Sequence, residues 1–258
     1  MELSIIIVSY NVKDLLQQAI SSLLVAAEDI KSEIFVVDNS SKDKSVEMVK
    51  NFFPQVNLIE NAKNEGFSVA NNQAIVKAKG KYILVINPDT ITNKDTLSKT
   101  INFLNNREDV GCLGVRMLNG QGEFLPESKR GLPTPWVSFC KLSGLNRLFP
   151  KSKLFNSYYL GYINEFETAE VDVIAGAFML LRASALKKVG LFDEDFFMYG
   201  EDIDLSYRLK LAGFKNYYFP ETYITHFKGQ STRKFSFKYL QSFYGSMFIF
   251  VRKHFLKF

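Results

Sequence analysis

The sequence predicts an α/β fold, a mostly parallel sheet with helices on both faces. Three observations carry that prediction. Apolar runs alternate with amphipathic stretches through residues 1–115. Several of those runs are apolar without interruption, the mark of strands buried on both faces. Three of them end in polar residues, at Tyr10-Asn11, Asp38-Asn39 and Asn87-Asp89. Ligands of open parallel sheets bind beyond these carboxyl ends.

The elements follow in order. Leu3–Ser9 reads as the opening strand, and Leu15, Leu16, Ala19, Ile20, Leu23 and Leu24 then recur at helical spacing. Glu33–Asp38 is the second strand, with Asn39-Ser40-Ser41 as the cap of a helix marked by Val46, Val49 and Phe53. Pro54 stops that helix, and Val56–Glu60 is the third strand. Asn64-Glu65-Gly66-Phe67 opens a helix carrying Ala70, Ala74 and Ile75, closed near Gly80. Tyr82–Ile86, a helix marked by Leu97, Ile101 and Leu104, and the strand Val110–Val115 complete the first half. Residues 119–168 have weak periodicity and read as irregular, a mobile loop on the acceptor side. Val171–Ile174 and Ala177–Arg182 resume as strands, Ala183–Val189 is a short helix, and Glu201–Ala212 is a helix stopped by Gly213.

The chain has 258 residues, enough for one large α/β domain or two small ones. Its net charge of +5 suits an anionic substrate, a nucleic acid or an anionic membrane surface, and composition does not choose among them. The bases are dispersed and no nucleic-acid motif occurs, so nucleic acid is not expected as a partner. Cys112 and Cys140 form no CxxC pair and read as buried thiols of a reducing compartment. Met1-Glu2-Leu3-Ser4 lacks a basic leader, and no apolar run reaches the length of a membrane span.

Each chemistry-bearing position has two readings. Asp38 either caps a helix or accepts a hydrogen bond from the imide N–H of uracil or thymine. Asn87-Pro88-Asp89 is strong turn chemistry, or it holds a divalent cation against a diphosphate leaving group. Mg²⁺ and Mn²⁺ favour such carboxylate oxygens. Glu201, Asp202 and Asp204 complement a helix dipole, by a few tenths to about 1 kcal/mol each. That explains less well why they follow the aromatic Phe196-Phe197-Met198-Tyr199. Burial beside like charges raises a carboxylate's pKa toward general-base usefulness. Asp204 is about 200° around the helix from Asp202 and points elsewhere. His226 is either structural or an imidazole ligand for a Mn²⁺-type cation. Gly66 belongs to an ordinary loop or admits a ligand close to the backbone. Neither G-x-x-x-x-G-K-[ST] nor G-x-G-x-x-G is present.

Taken in order, these pieces resemble the family 2 glycosyltransferases of GT-A fold over roughly residues 3–230. Ile7-Val8-Ser9-Tyr10-Asn11 is similar to the family's opening strand, and Val37-Asp38-Asn39-Ser40-Ser41 to its base-recognition strand end. Asn64-x-Gly66-Phe67 to Asn71-Asn72 matches its nucleotide-side helix, and Asn87-Pro88-Asp89 the NPD form of the DXD metal motif. Gly176-Ala177-Phe178, Gly190 to Glu194, Phe197 to Asp202 and His226 match the acceptor half. The bacterial rhamnosyltransferase-like branch, which builds cell-surface polysaccharide, is the nearest resemblance. It implies a nucleotide-binding half at about 1–115 and an acceptor half at about 116–227. Ser9, Tyr10, Asn11, Asp38, Asn64, Gly66, Asn71 and Asn87 would face the nucleotide. Asp89 and His226 would hold Mn²⁺ or Mg²⁺, Asp202 would be the general base, and Glu201 would orient the acceptor or the base. Asn87 replaces the first Asp of DXD, which removes one negative charge beside the diphosphate. The donor implied is a nucleotide-diphosphate sugar, dTDP-rhamnose ahead of UDP-sugars and GDP-mannose. The acceptor implied is a hydroxyl of a glycan or lipid-linked glycan, at the cytoplasmic face of the membrane.

Residues 228–258 mix bases with aromatics. They read as an interfacial helix on an anionic membrane, or as a terminal helix packed on the domain. Two rivals to transfer remain. A sugar nucleotidyltransferase would show a Gly-rich, Arg-containing loop where Ser9-Tyr10-Asn11-Val12-Lys13 stands. A non-catalytic polysaccharide- or membrane-binding subunit would not need Asp89, Asp202 and His226 together.

Overall fold

Strand-by-strand alternation divides the apolar side chains between two cores. Leu3, Ile5 and Ile7 face one side of the sheet with Ile34, Val36, Leu84, Phe178 and Leu180. Ile6 faces the other with Phe35, Val37, Ile83, Val85, Met179 and Leu181. Each fully buried side chain of this size contributes about 1.5–3 kcal/mol.

The computed structural model describes residues 1–227 and 237–256. Strands β1 (Leu3–Ser9), β2 (Ser32–Asp38), β3 (Asn57–Glu60) and β4 (Tyr82–Ile86) alternate with helices α1 (Lys13–Ala26), α2 (Ser45–Phe52) and α3 (Gly66–Ile75). Then come β5 (Thr90–Thr92), α4 (Thr96–Asn105), β6 (Val110–Leu118), α5 (Pro135–Leu142), α6 (Leu145–Leu148), β7 (Ala169–Val171), β8 (Phe178–Arg182), α7 (Ala183–Val189), α8 (Glu201–Leu211), β9 (Lys215–His226) and α9 (Phe237–His254). The sheet order is β3-β2-β1-β4-β8-β6-β9-β5, with β7 also on β9. Residues of α1, α2 and α4 pack on the first core, and residues of α3, α7 and α8 on the second.

The α/β layering is as the sequence predicts, and β3, β2, β1 and β4 are mutually parallel. Beyond β4 the sheet is mixed. β8 runs antiparallel to both β4 and β6, while β6 and β9 are parallel. From β1 the chain passes through α1 to β2 and on to β3 on one side, and α3 then carries it from β3 back to β4 on the other side of β1, which makes a switch point at the carboxyl ends of β1 and β4.

Several local expectations shift. The second helix begins at Ser45, where Asp43 rather than Asn39-Ser40-Ser41 receives the Ser45 N–H at 3.1 Å. Helix α3 ends at Ile75, short of Gly80. Residues 119–168, expected to be irregular, contain α5 and α6. Cys112 and Cys140 are both free and buried. Among the described residues no helix is long and apolar enough to cross a membrane.

The tail from residue 228 to 236 lies outside the described residues, and α9 follows it. The end of α9 packs on the domain. Phe250 is buried against Tyr207, with ring centroids 5.7 Å apart. His254 Nε2 lies 2.7 Å from Asp204 Oδ1, and Lys253 pairs with Asp193 and Asp195.

Candidate active site

The parallel register brings the first two nominated strand ends together, with Ser9 directly opposite Asp38. Asn39 continues the ladder, its N–H donating to the Ser9 carbonyl at 2.9 Å. Its side-chain amide donates to the Gly66 carbonyl at 3.0 Å, and Asn64 Oδ1 accepts the Gly66 N–H at 2.9 Å. Strand β2, the Asn64 loop and the start of α3 thus form one wall. Asp38 is buried; Oδ2 accepts the Ser41 N–H, while Oδ1 has no partner. Asn71 is fully buried on α3, with its amide on the Phe67 carbonyl and its Oδ1 unpartnered. Tyr10 is exposed at the mouth. The Asn11 side chain instead ties down the neighbouring loop, accepting the Lys42 N–H at 2.8 Å.

Asp89 and His226 meet because β5, immediately after Asp89, pairs antiparallel with the end of β9. Thr90 lies opposite His226, and the Phe227 N–H donates to the Asp89 carbonyl at 2.8 Å. His226 Nε2 stands 3.2 Å from Asp89 Oδ1, outside hydrogen-bond alignment. Both residues are buried, and Asp89 Oδ1 and His226 Nδ1 lack partners. A buried anionic oxygen beside a buried imidazole fits a divalent cation better than it fits an isolated pair. Among the described residues no third His, Cys, Asp or Glu joins them. Any further ligands would therefore come from water or from a bound diphosphate.

The acids of α8 reach the same cleft through the sheet. Ile86 is opposite Phe178, the Asn87 N–H donates to the Ala177 carbonyl at 3.2 Å, and the Gly176 N–H donates to Asp202 Oδ2 at 3.2 Å. Asp202 Oδ2 also receives the guanidinium of Arg130, a residue not nominated from the sequence. Burial alone would lower the pKa of Arg130, but Asp202 and Tyr158 raise it. Asp204 is buried and occupied by Arg208 and His254, so it is not open to a substrate.

Glu201 is buried with Oε2 unpartnered. Burial, with Asp202 beside it, pushes its pKa from 4.5 up to about 8. The folded protein therefore binds an extra proton between those values, and stability falls as pH rises through that window. Glu201→Gln is expected to flatten this slope and to stabilise the protein at pH 8 by at least about 1 kcal/mol. Urea melts of both proteins across that range check it, and parallel curves would show that Glu201 stays ionised.

Helix α8 is held at its start by a clamp from α3. The Phe67 N–H donates to the Phe197 carbonyl at 2.7 Å, Ser68 Oγ to the Phe196 carbonyl at 2.7 Å, and the Asn72 amide to the Phe192 carbonyl at 2.8 Å. A side chain at Gly66 would meet the Phe197 carbonyl at 2.5 Å, and φ there is +83°. The chain then turns through Tyr199 at φ 69° and Gly200 at φ 86° into α8. Gly200 takes this conformation freely, whereas Tyr199 takes it at a cost that the surrounding structure offsets.

Among the described residues, twelve buried side-chain polar atoms lack a partner. Half belong to nominated residues: Ser9, Asp38, Asn71, Asp89, Glu201 and His226. Since more than about nine in ten buried polar groups are normally satisfied, that concentration marks a place built for a polar ligand. Beside α6 a cavity of about 610 Å³ opens, lined in part by Lys129, Asn146, Arg147, Asn156 and Tyr159. Asn39, Asn61 and Arg130 complete the walls without having been nominated. Asn39 sits within the motif around Asp38, and Asn61 donates to its Oδ1 at 2.9 Å. Arg130 lies in a stretch without periodicity, and no sequence signal singles it out.

Comparison with known proteins gives the family and agrees with the fold. The profile of Glycosyl transferase family 2 matches residues 4–190. The chain is similar to the N-acetylglucosaminyl-diphospho-decaprenol L-rhamnosyltransferase of Mycobacterium tuberculosis, with 26% identity over 96% of this chain and 83% of that protein. It is also similar to rhamnosyltransferase WbbL of Escherichia coli K12, with 30% identity over 90% of this chain and 85% of the relative. Among solved structures, GalNAc-T7 with UDP, GalNAc and Mn²⁺ superposes with a TM-score of 0.67 and 18% identity. That likeness covers 98% of this chain and about half (48%) of the other.

Proposed function

We propose, from the premise that this chain belongs to glycosyl transferase family 2, that it moves a sugar from a nucleotide-diphosphate donor to a hydroxyl of a lipid-linked glycan in cell-surface polysaccharide synthesis. The observation that carries the reading is the set of buried, unpartnered polar atoms at Ser9, Asp38, Asp89 and His226, each at the end of a strand or adjoining one. The favoured donor is dTDP-rhamnose, supported by the rhamnosyltransferase relatives. A UDP-sugar is the second reading, because a carboxylate at Asp38 accepts the imide proton of uracil and thymine alike. Lipid-linked acceptors would place the reaction at the cytoplasmic face of the membrane.

In this reading Asp38 Oδ1 accepts the base imide, while Ser9, Tyr10, Asn11, Asn64, Gly66, Asn71 and Asn87 shape the nucleotide wall. Asp89 and His226 are the residues that would hold Mn²⁺ or Mg²⁺. When bound, such a cation supplies Lewis-acid stabilisation for the charge on the departing diphosphate. Asp202 takes the acceptor hydroxyl proton, and the oxygen attacks the anomeric carbon opposite the nucleotide, which inverts that centre. Arg130 and the Gly176 N–H fix Asp202 Oδ2, leaving Oδ1, which meets only the N–H of Ile203, for the incoming hydroxyl. Glu201, neutral below about pH 8, adds no second negative charge there. The cavity bounded by Asn146 and Asn156 suits acceptor sugar hydroxyls. Residues 1–227 form the transferase unit in this reading, with the C-terminal segment as an accessory.

A thermal-shift panel of dTDP, UDP and GDP, each with and without Mn²⁺, tests the proposal. A nucleotide at about a hundred times its Kd stabilises by about 2.7 kcal/mol. The expected order is dTDP, then UDP, then GDP, with a larger rise when Mn²⁺ is present. A preference for GDP would overturn the donor assignment, and no response to any nucleotide would overturn the reading itself.

A further inference from the structure

We propose that the outer face of α5, α6 and the loop running to Phe155 docks on an anionic lipid bilayer. Trp136, Phe139, Leu142, Leu148, Phe149 and Leu154 are each between 45% and 71% exposed. Scattered exposed apolar residues are ordinary, but here the aromatic ones form a connected row and the leucines lie on the same short helices and loop. The Trp136 ring lies 5.8 Å from Phe139 and 6.3 Å from Phe155, which lies 5.0 Å from Phe149. The surface is also built rather than frayed. Pro135 starts α5 behind a Thr134 side-chain cap, Trp136 Nε1 donates to the Leu154 carbonyl at 3.1 Å, and Cys140 is buried beneath.

Charge identifies the occupant. From Ser128 to Asn164 there are six Lys or Arg and no Asp or Glu, in a chain whose net charge is +5. Arg147, Lys151 and Lys153 are exposed among the apolar side chains, in the run Arg147-Leu148-Phe149-Pro150-Lys151-Ser152-Lys153-Leu154. Bases interleaved with Trp, Phe and Leu on one surface suit the boundary between anionic headgroups and acyl chains. A water-facing protein partner with acidic groups would satisfy the bases and leave the six apolar side chains without a counterpart. The face connects to the site through the backbone. α5 follows within five residues of Arg130, and the Gly131 N–H donates to the Tyr158 carbonyl at 3.0 Å. The inference rests on this exposed surface and not on how the sugar-transfer site is read.

Trp136 is the chain's single tryptophan, so its emission reports on this face alone. With phosphatidylglycerol-rich vesicles the full chain is expected to co-sediment and its emission to shift to the blue. Vesicles of phosphatidylcholine alone should give neither effect, and salt should weaken both. Leu142→Ser with Leu148→Ser changes two of the most exposed side chains and should leave the melting curve unchanged. It should cut partitioning about tenfold. Sedimentation with unchanged Trp136 emission would assign lipid contact to another surface, such as the tail, and overturn the proposal. So would failure to bind anionic vesicles, undiminished binding by the double variant, or a blue shift that follows protein concentration without lipid, which marks a second copy as the occupant.

Discussion

Asp202→Asn is expected to bind the donor as the wild type does and to lose turnover by about 10²–10⁴-fold. The substitution preserves shape. An Asn oxygen at this position still accepts the Gly176 N–H and still faces Arg130. What disappears is the capacity to take a proton. Glu201 cannot substitute, since burial keeps it protonated below about pH 8. Arg130 remains charged and buried, so stability is lost, by up to about 3–5 kcal/mol for a buried ionic partner neutralised. The decisive measurement is therefore kcat on protein shown by its melt to be folded, alongside donor affinity from titration. A variant within a few-fold of wild-type turnover would falsify the base assignment while leaving the donor site intact.

Asp89→Asn should separate stability from activity in opposite directions. Its Oδ1 is a buried anionic oxygen without a hydrogen bond, beside an imidazole that is not aligned to donate. Neutralising it relieves an uncompensated buried charge, so the metal-free protein should melt no lower than the wild type. Response to Mn²⁺ should disappear, because His226 alone is a single ligand, and kcat/KM should fall by about 10²–10³-fold. Scanning melts with and without Mn²⁺, followed by rates under donor-limiting conditions, give both halves. A variant that still gains stability and rate from Mn²⁺ would move the cation site away from Asp89.

The part of the fold legible in the sequence is the part governed by short-range pattern. Leu3–Ser9, Tyr82–Ile86 and Ala183–Val189 have the predicted bounds because continuous apolar runs and helical spacing are local signals. The strand ends carrying Asp38 and Asp89 were legible for the same reason. Less visible was what joins them. Strand β5 is three residues long, and its pairing with β9 depends on sequence over half the chain away. Partway along β9 the ladder jumps from Phe219 to Tyr223, releasing Thr222 to bond Asp95 and Thr96 at the start of α4. Neither feature has a periodicity to read. Arg130 escaped notice because an isolated base in an aperiodic stretch has no context until Asp202 is placed beside it. Helices α5 and α6 were missed because their apolar residues face outward, so the usual inward stripe is absent.

The pairing of β5 with β9 also has a consequence during synthesis. Asp89 emerges early from the ribosome, and its partner His226 only when most of the chain has followed. Closing so long a loop is entropically costly and kinetically late. The strands β1–β4 are therefore all made before the pairing that brings Asp89 to His226 can form, and that pairing waits on the last residues of β9.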